Sequence, residues 1–456
     1  MPVLHAARAL TPEGWKSDVR VTIADGAIGA VQAETPAEAG DERHAIMAPA
    51  AANLHSHAFQ RAIAGLAEFR DKETDTFWTW RDTMYRYALM MSPDEVEAVA
   101  AQLYVEMLEA GFAAVAEFHY LHNAPDGSPY AQPSEMAGRI LLAARRVGIG
   151  MTLLPVFYAH ATFGGAPPRP EQRRFVCDLT SFARLVDDCR RMIRETAGAT
   201  IGIAPHSLRA VSPSELVELI SLAGDDWPIH IHAAEQIKEV EDCVASLGAR
   251  PVRWLIDNAG VNARWCLVHA THMDEGETRD LARSGAVAGL CPVTEANLGD
   301  GIFNAVNYLR EGGRYGVGTD SNVSIGVAEE LRQLEYAQRL RERARNVCAP
   351  PGASCGRTML EAIWLGGAQA LKRNSGRLAA GAAADILTFR ADHPTLAGKA
   401  DDQILDAWIF SAGNSLVDCV WSSGLKVVAG GRHVFKDEIA AQFVKTMREL
   451  SERPPA

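Results

Sequence analysis

The sequence predicts an α/β protein, a (β/α)8 TIM-like barrel with a small β-sandwich domain built from both termini. Three observations predict it. Eight short apolar runs occupy the middle of the chain, most ending in polar or ionisable residues. Stretches of helical periodicity separate most of these runs. β-rich segments flank this middle on both sides.

The flanks come first. In Val19-Arg20-Val21-Thr22-Ile23 the apolar residues alternate, and Asp25-Gly26 is a hairpin signal. The same pattern returns in Asp385-Ile386-Leu387-Thr388-Phe389, from Val417 to Trp421 and from Leu425 to Val428, with Gly430-Gly431 as a turn before Val434. The economical reading is one small β domain from residues 1–46 and 376–437. The apolar runs are Pro49–His57, Ala113–Tyr120, Gly150–Tyr158, Ile201–Ser207, Pro228–Glu235, Trp265–Thr271, Ala286–Thr294 and Tyr315–Ser321. Pro93–Ala110, Ser212–Leu222 and Asp274–Arg283 have helical periodicity. Such alternation implies a parallel sheet with crossover helices, and eight units of this length imply a closed barrel over 47–375. A charged amphipathic helix and tail are expected over 438–456.

Composition narrows the function. With 48% hydrophobic and 22% charged residues among 456, a large core is available. A net charge of −12 argues against a nucleic-acid partner. It leaves room for a small anion, because a few arginines in a cleft reverse the local field. No apolar stretch suits a membrane span and no basic-then-apolar leader opens the chain. The eight cysteines form no C-x-x-C pair, so neither a zinc ribbon nor a dithiol redox site is supported. Cys266 and Cys291 lie in apolar runs and read as reduced core thiols, and a cytoplasmic location is expected.

His55-Ser56-His57 is the first chemical signal. Residues i and i+2 of a strand share a face, so two imidazoles can meet one ion. Taken alone, the pair is equally two polar residues at a strand end. The context decides. Five of the eight runs hold histidine at or near their C-terminal ends: His55/His57, His119, His206, His230/His232 and His269. The eighth ends in Thr319-Asp320-Ser321-Asn322. In a (β/α)8 barrel these ends converge on one face, where active sites lie. Imidazole and carboxylate together suit zinc, with one position open for water.

This pattern resembles the amidohydrolase superfamily over nearly the whole chain. The likeness comprises an H-x-H on the first strand, histidines on the fifth and sixth and an aspartate on the eighth. Gly376-Arg377-Leu378-x-x-Gly381-x-x-Ala384-Asp385 is similar to the segment leading into the small β domain of these enzymes. The resemblance implies one divalent metal, with zinc expected, held by His55, His57, His232 and Asp320. Iron, manganese or cobalt fits the same ligands. Two-metal members use a carboxylated lysine on strand 3 or 4, and neither Gly150–Tyr158 nor Ile201–Ser207 contains lysine. His232-Ala233-Ala234-Glu235 is the H-x-x-E of deaminating members and implies Glu235 as proton shuttle, against the plain alternative of a helix-start carboxylate. His230 reads as a buried supporting residue. Asp320 would accept a proton from water made acidic by the metal, and His269 would orient the hydroxide or stabilise charge as it adds. The attacked atom should be an sp² carbon bonded to nitrogen.

Further stretches address the substrate. They are His57-Ala58-Phe59-Gln60-Arg61, Trp78-Thr79-Trp80-Arg81 in a loop beyond the first strand, Phe118-His119-Tyr120, Ala204-Pro205-His206-Ser207-Leu208-Arg209, and the run from Cys291 through Thr294-Glu295-Ala296-Asn297-Leu298-Gly299-Asp300-Gly301. Together they are similar to the family of N-formimino-L-glutamate deiminases, which implies a small dicarboxylate substrate. Guanidinium groups grip carboxylates through bidentate, charge-assisted bonds, so Arg81 and Arg209 are the expected anchors. Gln60, Tyr120 and His206 would add donors, and Arg61 is a rival to the arginines. Phe77-Trp78-Thr79-Trp80 reads equally as a lid wall over the site, a homodimer contact or ordinary packing. A deaminase of guanine, adenosine derivatives or s-triazines would keep the metal site and lose the arginine pair. A non-catalytic barrel scaffold would lack one or more ligands.

Overall fold

The structure is a computed structural model that describes residues 2–70, 73 and 75–453. Four strands open the chain: β1 (Val3–Thr11), β2 (Gly14–Ala24), β3 (Ala27–Gln32) and β4 (Glu42–Pro49). Asp25 at φ +49° and Gly26 at φ +79° turn β2 into β3. Positive φ at both positions is what a tight hairpin requires of Asp-Gly.

The middle of the chain supplies β5 (Ala51–Ser56), β6 (Phe112–His119), β7 (Gly150–Phe157), β8 (Ala199–Ile201), β9 (Ala204–Pro205), β10 (Ile229–Ala233), β11 (Trp265–His269), β12 (Val287–Leu290) and β13 (Arg314–Val317). One parallel arc runs β5-β6-β7-β8, with β9 also on β7, and a second runs β10-β11-β12-β13. Parallel bridges Ile203↔Ile229 and Ser207↔His232 join the arcs on one side, and Ser56↔Asp320 joins them on the other. With β8 and β9 taken as one interrupted strand, pairing passes round eight strands, as a closed barrel demands. The interruption falls at Gly202, where a Cβ would stand 2.5 Å from the Pro228 carbonyl oxygen. β5, β6, β7 and β10 are buried along their whole length, as strands covered by helices are. Helices Pro93–Glu109 and Pro213–Leu222 start at Ser92 and Ser212, each in a reciprocal cap with a glutamate three residues on.

Two expectations need correction. The run Ala286–Thr294 is not one strand: β12 stops at Leu290 and a short helix, Pro292–Leu298, follows. Pro292 cannot donate to a strand ladder and has its φ preset for a first helical turn. Arg81 lies in the helix Phe77–Met90 rather than in a loop. The Thr76 hydroxyl accepts from the Trp78 N–H, and the Thr79 hydroxyl accepts from the Thr76 N–H at 2.9 Å. This double cap starts a helix whose aromatic composition gives little helical signal.

The chain then adds β14 (Ile386–Phe389), β15 (Val417–Ser422), β16 (Leu425–Ala429) and β17 (Arg432–His433). With the opening strands they form one eight-stranded sheet in the order β17-β16-β15-β14-β4-β1-β2-β3. Only the β1–β4 pair in it is parallel. Leu4, Val19, Val21, Ile23, Met47, Ile386 and Trp421 form a core of their own against this sheet, and the strands expected in a sandwich are joined in a single hydrogen-bonded sheet. The helix Lys436–Ser451 lies against the helix Pro93–Glu109, and Arg453 pairs with Glu95. The expected tail runs on to residues 454–456, outside the described residues. Among the described residues no helix is long and apolar enough to cross a membrane.

One close approach matters for the site. At Gly318 a Cβ would stand 2.7 Å from both the nitrogen and the oxygen of His55. The missing side chain lets the segment after β13 lie against β5, where Asp320 N–H donates to His55 O and His57 N–H to Asp320 O, both at 3.0 Å. Gly318→Ala should therefore cost about 1–3 kcal/mol of stability in urea unfolding, as over-packing typically does. Unchanged stability would mean that the two segments can part freely.

Candidate active site

His55 lies near the end of β5 and His57 follows it directly, His232 lies near the end of β10, and Asp320 follows β13. Each offers one ligand atom, and the four atoms lie within 4.8 Å of one another. His55 Nε2 is 3.2 Å from His57 Nε2 and 3.1 Å from His232 Nε2. Asp320 Oδ1 is 3.3 Å from the Nε2 atoms of both His55 and His57. The outer nitrogens explain this crowding. His57 Nδ1 donates to the Phe118 carbonyl at 2.9 Å, and His232 Nδ1 donates to the His206 carbonyl at 3.0 Å. Each bond places the proton on Nδ1 and turns the Nε2 lone pair inward. Burial lowers the His55 pKa to about 3, and burial with the neighbouring imidazoles holds His232 well below the usual range. Burial alone would raise the Asp320 carboxyl, but its contacts with His55 and His57 hold it well below the usual range. Three converging imidazoles and one carboxylate form a donor set that fits a divalent cation.

A second ring of charge surrounds these four. His269 Nδ1 is 3.2 Å from Glu295 Oε1, and its Nε2 is 3.8 Å from Glu235 and 3.9 Å from Asp320. Burial opposes a charge on His269, yet Glu235, Glu295 and Asp320 outweigh it and raise the pKa to about 10. Arg209 Nη2 donates to Glu235 Oε2 at 3.3 Å, and its Nε is 3.9 Å from Glu239 Oε2. His269 at φ +68°, Asp320 at φ +46° and Ala234 at φ +52° adopt the left-handed region. That strain collects at the strand ends, where surrounding structure must hold it.

Over the cluster opens a cavity of about 470 Å³. Gln60, Arg81, Tyr120, His206 and Arg209 line it, with His57, His232, Glu235, His269 and Asp320. His55 is fully buried and is not part of the lining. Gln60 Nε2 donates to the Tyr120 hydroxyl at 2.7 Å, and Gln60 Oε1 is buried without a partner among the described residues. The Arg81 guanidinium sits 4.6 Å from the Trp78 ring centroid and 5.5 Å from that of Tyr85. Burial pushes its pKa down. Among the described residues no carboxylate pairs with it, and its Nε is buried without a hydrogen bond. His206 is driven well down by burial and then by Arg209, so it presents a neutral ring. Phe77, Trp78 and Trp80 belong to the cavity wall.

Residues 46–427 match the family model described as the amidohydrolase family. The chain belongs to this family. Residues 1–45 of this amidohydrolase match the N-terminal domain of formimidoylglutamate deiminase HutF. The formimidoylglutamate deiminase of Pseudomonas aeruginosa is 49% identical over 452 residues, covering 99% of this chain and 100% of the relative. The crystal structure of an amidohydrolase from Brucella melitensis superposes with a TM-score of 0.95 at 52% identity, covering 99% of this chain and 100% of that one. An adenosine deaminase from Xanthomonas campestris with bound zinc shares the fold, with a TM-score of 0.82 at 21% identity over 99% of this chain and 98% of that one.

Other candidates of the amidohydrolase sequence fall outside the cavity. Arg61 pairs with Glu106 at 2.8 Å and donates to the Asn322 carbonyl, also at 2.8 Å, so it is a strut between segments. His230 Nε2 donates to the Ala370 carbonyl at 2.9 Å inside the core. His119 stacks edge-on against His122, with ring centroids 5.6 Å apart. Sequence reasoning missed Glu295 and Glu239. Glu295 stands in the Thr294–Gly301 stretch, yet nothing in that stretch pairs it with His269. Glu239 follows Glu235 by one helical turn and reads as a solvated helix-start acid, although it is 1% exposed.

Proposed function

We propose that this amidohydrolase hydrolyses N-formimino-L-glutamate (formimidoylglutamate) to N-formyl-L-glutamate and ammonia. One observation supports it above the others: Arg81, without a carboxylate partner among the described residues, shares a cavity with Glu235 and the His/Asp cluster. A dicarboxylate that carries an amidine-like carbon satisfies both halves of that cavity. The 49% identity to a formimidoylglutamate deiminase over the full chain supports the same substrate.

In this reading His55, His57, His232 and Asp320 hold one divalent ion, and the mixed imidazole and carboxylate donors favour zinc. When bound, such an ion supplies Lewis acidity that makes a water acidic near neutral pH. Asp320 accepts the proton of the attacking water as its oxygen bonds to the formimino carbon. Glu235 gives its proton to the imino nitrogen, takes up the proton that the new C–OH group releases as the carbonyl forms, and passes it to the nitrogen as the carbon–nitrogen bond breaks and ammonia leaves; the proton held by Asp320 then restores Glu235 for the next turnover. His269, kept cationic by Glu235 and Glu295, faces the charge that develops during addition. Arg81 and Arg209 bind the carboxylates, and Gln60, Tyr120 and His206 orient the chain between them. The aromatic wall excludes bulk water and strengthens these interactions.

Wider features belong to the same proposal. Residues 47–375 act as the catalytic unit, 1–46 with 376–437 as its companion, and the active form is a homodimer in the cytoplasm. All eight cysteines are free thiols, which supports a reducing compartment.

Ammonia release from N-formimino-L-glutamate, measured beside guanine and adenosine, tests the substrate. Release from a purine alone would replace the proposal with a purine deaminase. Arg81→Met removes a charge that, among the described residues, has no carboxylate partner to leave unpaired. It should lower kcat/KM by roughly 10- to 150-fold, the worth of one charged hydrogen-bonded contact, and chiefly through KM. A KM unchanged within error would remove Arg81 from substrate binding.

A further inference from the structure

We infer that Glu239 is a positioning residue that sets Glu235 and Arg209 as one unit. The inference rests on the reading above, in which Glu235 moves protons and Arg209 binds a substrate carboxylate.

Glu239 is the third residue of the helix Ile237–Leu247. An acid there ordinarily stays in solvent and serves the N-terminus of its own helix. Glu239 instead turns back, with its side chain fully buried. Its Oε1 accepts from the Ala234 N–H and its Oε2 from the Glu235 N–H, both at 3.1 Å. Two successive N–H groups can face one carboxylate because Ala234 sits at φ +52°. Such a concavity of backbone N–H groups is an anion site, and here the chain's own carboxylate fills it. The peptide that aims Glu235 is thereby fixed.

The same Oε2 lies 3.9 Å from Arg209 Nε, while Arg209 Nη2 reaches Glu235 Oε2 at 3.3 Å. One buried guanidinium therefore stands between two buried carboxylates. Glu235 is the only residue with which Arg209 makes a hydrogen bond among the described residues. A guanidinium has five N–H donors, so Arg209 can take a substrate carboxylate while Glu239 still holds its Nε side. Substrate recognition and proton delivery thus share one support.

The test is a double-mutant cycle on the whole metal-loaded enzyme. Glu239→Gln keeps the shape, turns a donor toward the backbone N–H groups and drops the charge facing Arg209. We expect kcat for N-formimino-L-glutamate to fall on the order of 100-fold, as a small misplacement of reacting groups does, with metal content unchanged. Glu239→Asp, which keeps the charge, should recover part of kcat. In an Arg209→Met background the further loss from Glu239→Gln should shrink by about tenfold or more, because coupled residues are not additive. Equal losses in both backgrounds, or loss of stability with kcat intact, would overturn the inference. If the wild type releases no ammonia from this substrate, the functional reading fails by itself. Hydrogen exchange of segment 230–238 then decides on Glu239 without substrate. Faster exchange at Ala234 and Glu235 in Glu239→Gln supports the positioning role, and unchanged exchange overturns it.

Discussion

Glu235→Ala should lower kcat by roughly 10³- to 10⁴-fold while the metal content stays at the wild-type level. General acid–base groups contribute about 10²- to 10⁴-fold, and Glu235 is asked to act in both halves of the reaction. It is buried, 3.3 Å from Arg209 and 3.8 Å from His269, and it is not one of the four side chains that converge on the candidate metal position. The retained metal is therefore the diagnostic part. Initial rates of ammonia release, taken with elemental analysis of the same preparation, separate the outcomes. A variant that lost its metal would make Glu235 a structural support, and a variant that kept its rate would leave the proton path without its central group.

Asp320→Ala should behave differently, losing both metal and rate. Its Oδ1 is 3.3 Å from two imidazole nitrogens, and no other carboxylate belongs to that four-residue group. Without it His55 and His57 face a position held by imidazoles alone. A weakened Lewis acid and a missing proton acceptor act on the same step, so kcat should fall on the order of 10⁴-fold or more. Excess zinc during assay should restore metal content in part and leave the rate low, because the proton acceptor is still absent. Recovery of the full rate with added zinc would reduce Asp320 to a ligand and move its proton to another group.

Much of this site was legible because strand chemistry is local. His55 and His57 are two residues apart, and alternation alone puts them on one face. His232 and Asp320 came within reach because barrel strands end on one side, whatever their separation in the chain, and the likeness to amidohydrolases singled them out from the other strand-end residues. The helix that carries Arg81 was not legible, since its start depends on two threonine hydroxyls and not on apolar periodicity. The short helix after β12 was hidden by an apolar run that continues through Pro292. Glu239 and Glu295 were unreadable for another reason. Glu295 meets His269 and Glu239 faces Arg209 only across the fold, and the backward turn that brings Glu239 onto the N–H groups of Ala234 and Glu235 depends on the positive φ of Ala234, which no residue type there announces.

The bridge between Ser56 and Asp320 has a consequence in time. It joins the first strand of the barrel to the segment after the last, and three of the four converging side chains, His55, His57 and Asp320, lie at that seam. Contacts between distant parts of a chain are slow to form, because the whole intervening loop must be ordered first. In the proposed reading the metal position is completed only when the ring is complete. A partly folded chain then offers His55 and His57 but not Asp320, and firm uptake of an ion is the expected mark of the end of folding rather than of its beginning.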